Sequence, residues 1–63
     1  MMYKKGDIIK MEDPYGPAGS TFYKHYLILD TRQHYVYNVL CVETGNADIM
    51  NKNYVRKHAE FVA

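Results

Sequence analysis

Sixty-three residues admit one domain with a thin core, because a chain of this length buries only about 60% of the surface its unfolded form exposes. With 8 Lys plus Arg against 7 Asp plus Glu, the formal charge of +1 excludes the strongly basic balance of a dedicated nucleic-acid binder and nominates no partner by itself. The single cysteine, Cys41, excludes an internal disulfide, no apolar run approaches the roughly 18 residues of a membrane span, and MMYKKGDIIK lacks the apolar stretch of a signal peptide, so the expected setting is cytoplasmic.

Residues 1–5, MMYKK, read as a leader, and Gly6 marks the start of a first strand, DIIKM. In that strand Ile9 and Met11 face inward, Lys10 and Glu12 face water, and Ile8 lies at an edge, a period of two. Residues 13–21, DPYGPAGST, have the Pro, Gly, Asp and Ser content of a loop, the longest in the chain, and carry Tyr15. A second strand follows from Phe22 to Thr31 and becomes continuously apolar at YLIL, which predicts cover on both faces and a bend. Residues 31–34 connect it to a third strand, Tyr35 to Glu43. The two strands are rich in Tyr, Val, Ile and Leu, which fit a pleated, half-buried surface, and form the hairpin around which the rest is organised. Gly45-Asn46 fits a two-residue type II′ turn into a fourth strand, Ala47 to Asn51, with Ala47 and Ile49 inward.

The tail has two readings. Tyr54, Val55, Ala59 and Val62 fit one helical face capped by Asn51 or Asn53, or else a 3₁₀ turn at Lys52 to Val55 precedes a short strand at Glu60 to Val62; the second is adopted. The expected fold is thus all-β, a five-stranded, partly open small barrel in one domain. Its core candidates are Ile9, Met11, Leu27, Leu29, Val39, Cys41, Ile49 and Val55.

This order of strands, with a long first loop and a helical turn before the last strand, resembles the Src-homology-3-like barrel. GDIIKM is similar to the opening strand of KOW-type, Tudor-like and toxin-related modules of that shape. The GDI start, KHYLIL, VLCVETG and the YV tail also resemble short uncharacterised bacteriophage proteins over nearly the whole length. That resemblance implies a fold and a phage origin, hence a host protein as partner, and carries over no reaction and no site residues.

Cys41 and His25 are the one conceivable nucleophile and base, but Cys41 between Leu40 and Val42 reads as a core residue and no third group orients the pair. His25, His34, His58 and Cys41 lack the paired spacing of a zinc site, and GPAG lacks the lysine and the strand-to-helix setting of a phosphate loop. The expectation is a protein without enzymatic activity, cofactor or metal. Tyr15, Phe22, Tyr23 and Tyr54 form the first candidate binding set, for an extended protein segment in a groove shared by the long loop and the last turn. Lys4, Lys5, Lys52, Arg56 and Lys57 beside Tyr54 form an alternative set, for single-stranded nucleic acid. Self-association through an open strand edge, giving a homodimer or a structural assembly, is the third expectation.

Overall fold

A computed structural model describes residues 2–12 and 22–63. The elements are β1 (Ile8–Glu12), β2 (Tyr23–Asp30), β3 (Val36–Cys41), β4 (Ala47–Asn51), α1 (Lys52–His58) and β5 (Glu60–Phe61). The five strands form one antiparallel sheet in the order β4-β3-β2-β1-β5. The expected barrel does not close: β4 and β5 are the two edges of the sheet. Between them runs α1, whose Val55 is fully buried among Ile9, Ile28, Tyr37 and Val39, so a helix covers the core face where a closed barrel would join its edges.

The tail settles as two turns of α-helix followed by a two-residue strand, in place of the expected 3₁₀ turn. Asn51 supplies the cap, its side-chain oxygen accepting the Asn53 and Tyr54 amides at 2.8 and 3.2 Å, which satisfies two of the donors that a helix start leaves orphaned. Of the expected helical face, Val55 is buried, Ala59 packs against the core, and Tyr54 and Val62 are exposed.

Directly paired residues share a face of a sheet. The register therefore puts Ile9, Tyr26 and Cys41 on the core face, with Ile28 and Val39 beside them and Tyr37 opposite Met50. Ile9, Met11, Val39, Cys41 and Val55 are buried as expected. Leu27, Leu29 and Ile49 are corrections. Ile28 meets Val39 in the same register that pairs Tyr26 with Cys41 and is 1% exposed, whereas Leu29, the extra residue of a β-bulge between Ile28 and Asp30, is 37% exposed. The bulge falls at the end of YLIL, where a bend is expected, and an extra residue of this kind bends its strand. Leu27 pairs with Leu40 and with Ile8 on the outer face, one residue out of step with Tyr26 and Ile28.

Parity explains the fourth strand. The β3–β4 loop is not the two-residue Gly45-Asn46 turn: the Cys41 amide donates to the Asn46 carbonyl at 2.9 Å, enclosing residues 42–45, and the Gly45 amide donates to the Cys41 carbonyl at 2.8 Å. Gly45 does adopt positive φ, 74°, as the last loop residue. An even-length loop pairs odd residues of one strand with even residues of the other, so Val39 and Cys41 inward force Ala47 and Ile49 outward. Ala47 sits opposite Leu40, and Ile49 opposite Asn38 and 59% exposed. At this edge the Ile49 amide donates to the Asp48 carboxylate at 2.7 Å.

Tyr3, expected in a leader, belongs to the core at 8% exposure. Its ring meets Tyr37 edge-on with centroids 6.3 Å apart, and its hydroxyl donates to the Ala59 carbonyl at 3.4 Å. The N-terminal segment is tied down in this way, and the turn at Lys4 to Asp7 is closed by Asp7 accepting the Lys4 amide at 2.9 Å.

Candidate functional site

The strands fix two ends of the sheet. One end carries Glu12, Tyr23 and the 42–45 loop; the other carries the β2–β3 connection, residues 31–35, and the junction of β4 with α1, because Asp30 pairs with Asn38 and Val36 with Asn51. The Gly6 amide bonded to the Ile28 carbonyl at 2.9 Å brings the Lys4 to Asp7 turn to this second end.

At the second end three cationic side chains gather round Thr31. Lys5 and Arg32 line a cavity of about 460 Å³ together with Leu29, Asp30 and Thr31. Lys52 donates from Nζ to the Thr31 carbonyl at 2.9 Å and lies over the Tyr37 ring at 5.1 Å, a cation–π contact that holds the ammonium beside the loop. The Lys52 amide donates to the Tyr35 carbonyl at 2.8 Å, which ties the helix start to the loop. Tyr35 is 72% exposed and packs edge-on against His34 with centroids 4.5 Å apart. On α1, Tyr54 lies against His58 at 4.5 Å, and the last turn adds Arg56 and Lys57.

Acidic groups at this end are already engaged. Asp30 accepts the Arg32 amide at 2.9 Å and, through both oxygens, Nε and Nη2 of the guanidinium at 3.1, 3.1 and 2.9 Å. The Arg32 side-chain and backbone hydrogen bonds hold the Asp30 carboxyl down at about 2, and the same pairing raises Arg32. Asp7 is buried in its own turn. A formal charge of +1 thus conceals segregation: Lys4, Lys5, Arg32, Lys52, Arg56 and Lys57 belong to this end and the helix, whereas Glu12, Glu43 and Glu60 belong to the rest of the sheet with Lys10 and Lys24.

Of the first candidate set, Tyr15 lies outside the described residues, and the other three do not share one groove. Tyr23 pairs with Glu12 on the outer face, where Lys10 Nζ stands 5.1 Å from its ring. Tyr54 rides on α1, which packs against the opposite, core face. Phe22, Tyr23 and Tyr54 are each about half exposed. Of the alternative basic set, Lys5 lines the cavity and Lys52 reaches the Thr31 carbonyl, whereas Arg56 and Lys57 lie in the last turn of α1. Sequence reading missed Thr31 and Arg32, taken as mere connection, and Tyr35, taken as the start of the third strand; the signal was Asp30-Thr31-Arg32, an acid two residues before an arginine, which closes locally on its own backbone.

His25 and Cys41 fall on opposite faces, since Cys41 pairs with Tyr26 and not with His25. Glu43 reaches both: it accepts the His25 amide at 2.8 Å and meets the ring Nδ1 at 2.6 Å, while Cys41 Sγ stands 4.0 Å from its Oε1. The His25 hydrogen bonds lower the Glu43 carboxyl, so an ionised acceptor sits beside the buried thiol, the reverse of the electropositive, exposed setting that activates a cysteine. Among the described residues no group of three or more His, Cys, Asp or Glu is arranged to hold a metal ion, and no helix is long and apolar enough to cross a membrane. Comparison with family models, curated proteins and solved structures returned no match, so the site is defined by its own geometry.

Proposed function

We propose that this chain is a small binding module without catalytic chemistry, and that its basic, tyrosine-bearing end holds single-stranded nucleic acid. The observation that carries this reading is the convergence of Lys5, Arg32 and Lys52 round Thr31, with Tyr35 exposed at the same end and its backbone bonded to Lys52. Cations that follow a phosphate backbone next to a tyrosine on which a base can stack are the working parts of single-strand recognition. The strand order, with a helix before the last strand, supports reading the fold as an opened Src-homology-3-like barrel.

Fluorescence anisotropy of a labelled oligothymidylate, across 50 to 200 mM salt, tests the reading. Binding is expected to weaken steeply with salt, and Lys5→Ala or Lys52→Ala to reduce the salt slope by about one each, as for the loss of one phosphate contact. Salt-independent binding, or a slope that ignores both lysines, would refute it. The half-exposed Phe22, Tyr23 and Tyr54 favour a second reading, capture of a protein partner, a host protein where the phage resemblance applies. A nuclease-resistant partner in a pull-down that is lost when Tyr23 or Tyr54 is replaced would decide for it.

A further inference from the structure

The Asp30–Arg32 pair is built in an unusual way for a surface ion pair. Both carboxylate oxygens and two guanidinium nitrogens take part, yet the arginine side chain is 89% exposed while the aspartate is 27% exposed. Both residues line the cavity, the carboxylate mostly buried and the arginine side chain turned largely to solvent. Two residues apart on one connection, the partners need no long-range contact to meet, and an exposed pair of this kind is weak and screened by salt. A planar fork that matches a carboxylate also matches two oxygens of a phosphate.

We propose that the cavity bounded by Lys5 and residues 29–32 is a phosphate seat, in which two oxygens of a nucleic-acid phosphodiester take the Arg32 fork away from Asp30. The inference rests on the nucleic-acid reading above and adds to it a named contact and a built-in competitor. Lys5 faces the same cavity, and Lys52, through the Thr31 carbonyl, fixes the loop that presents Arg32. Asp30 then sets the affinity: a ligand with a single charged point has no geometric advantage over the carboxylate already in place, whereas a phosphate offers the same bidentate face. Removing the competitor tightens binding.

The test uses the full chain and labelled oligothymidylate. Asp30→Asn, nearly isosteric, is expected to bind about fivefold tighter, the scale on which an exposed pair competes. Asp48→Asn makes the same charge change at the β4 edge, away from the cavity, and is expected to stay within about twofold of the parent, since exposed charges beyond about a Debye length are screened. Adding Arg32→Lys to Asp30→Asn keeps the charge, removes the fork, and is expected to erase the gain. In the unmutated protein the Arg32 Nε–H resonance is expected to move as oligonucleotide is added. A gain in Asp30→Asn no larger than in Asp48→Asn, weaker binding in Asp30→Asn, or an unmoved Arg32 resonance would overturn the phosphate seat. If binding depends on Lys5 and Lys52 but ignores these changes, the nucleic-acid reading stands and the seat does not; if no variant binds, both fall.

Discussion

Replacing Ile28 and Leu29 one at a time by alanine separates two adjacent apolar residues that the β2–β3 register sends to different surroundings. Ile28 is 1% exposed and packed in the cluster with Ile9, Tyr37, Val39 and Val55. Its truncation removes three carbons at about 0.8 kcal/mol each and leaves a cavity, so the loss is about 3 kcal/mol. Leu29 also loses three carbons, but at 37% exposure and with solvent free to fill the space, transfer alone gives about 1.5 kcal/mol. A core of this size supplies roughly 3–5 kcal/mol in total. Ile28→Ala is therefore expected to keep only about 0–2 kcal/mol and to unfold at little or no urea, and Leu29→Ala to remain folded with a smaller drop in urea midpoint and an unchanged m-value. Urea unfolding followed by far-ultraviolet circular dichroism reads both. The opposite order, or equal losses, would refute the assignment of faces in β2.

Two other predictions rest on single side chains. Asn51→Ala removes the acceptor for the Asn53 and Tyr54 amides and is expected to cost about 1 kcal/mol in thermal or urea unfolding, whereas Asn51→Asp retains the cap at little cost. The Asp30 carboxyl is held at about 2 against an ordinary 3.8, so its folded state favours the ionised form. That contribution is full above 3.8 and disappears as pH falls through about 2. A carboxyl titration followed by NMR should show the low midpoint in the parent and its return toward 3.8 in Arg32→Ala.

Much of the strand order is written in the alternation of apolar residues and in the loop-forming stretches. Ala47–Asn51 forms as expected, and β1 and β3 fall within a residue or two of their expected limits, because Ile9 and Met11, or Val39 and Cys41, alternate with residues that tolerate water. YLIL could not disclose its faces in the same way. Four consecutive apolar residues satisfy either parity, and only the long-range pairing with β3 determines that the extra residue is Leu29. Ala47 and Ile49 were decidable in principle, since the parity of an even loop contradicts the simultaneous burial of Val39 and Ile49. The candidate site was legible as residue types and illegible as an arrangement. Lys5 and Arg32 are 27 residues apart, with β1 and β2 between them, and their meeting follows from the Gly6 to Ile28 hydrogen bond, which no local pattern announces.

The Asp48 carboxylate on the Ile49 amide bears on how this sheet behaves among copies of itself. An open sheet with Leu27, Leu40, Ala47 and Ile49 on its outer face has the ingredients of a template for strand addition, and β4 is its longer free edge. An incoming strand needs the outward amides of that edge as its first partners. One of them is already occupied by an adjacent side chain that also brings a negative charge, so sheet growth at β4 must begin by breaking a bond within the chain. The other edge, β5, is two residues long. The open edge of the sheet thus carries one aspartate that opposes strand addition, and Asp48→Val, which cannot accept that bond, is expected to raise self-association in light scattering.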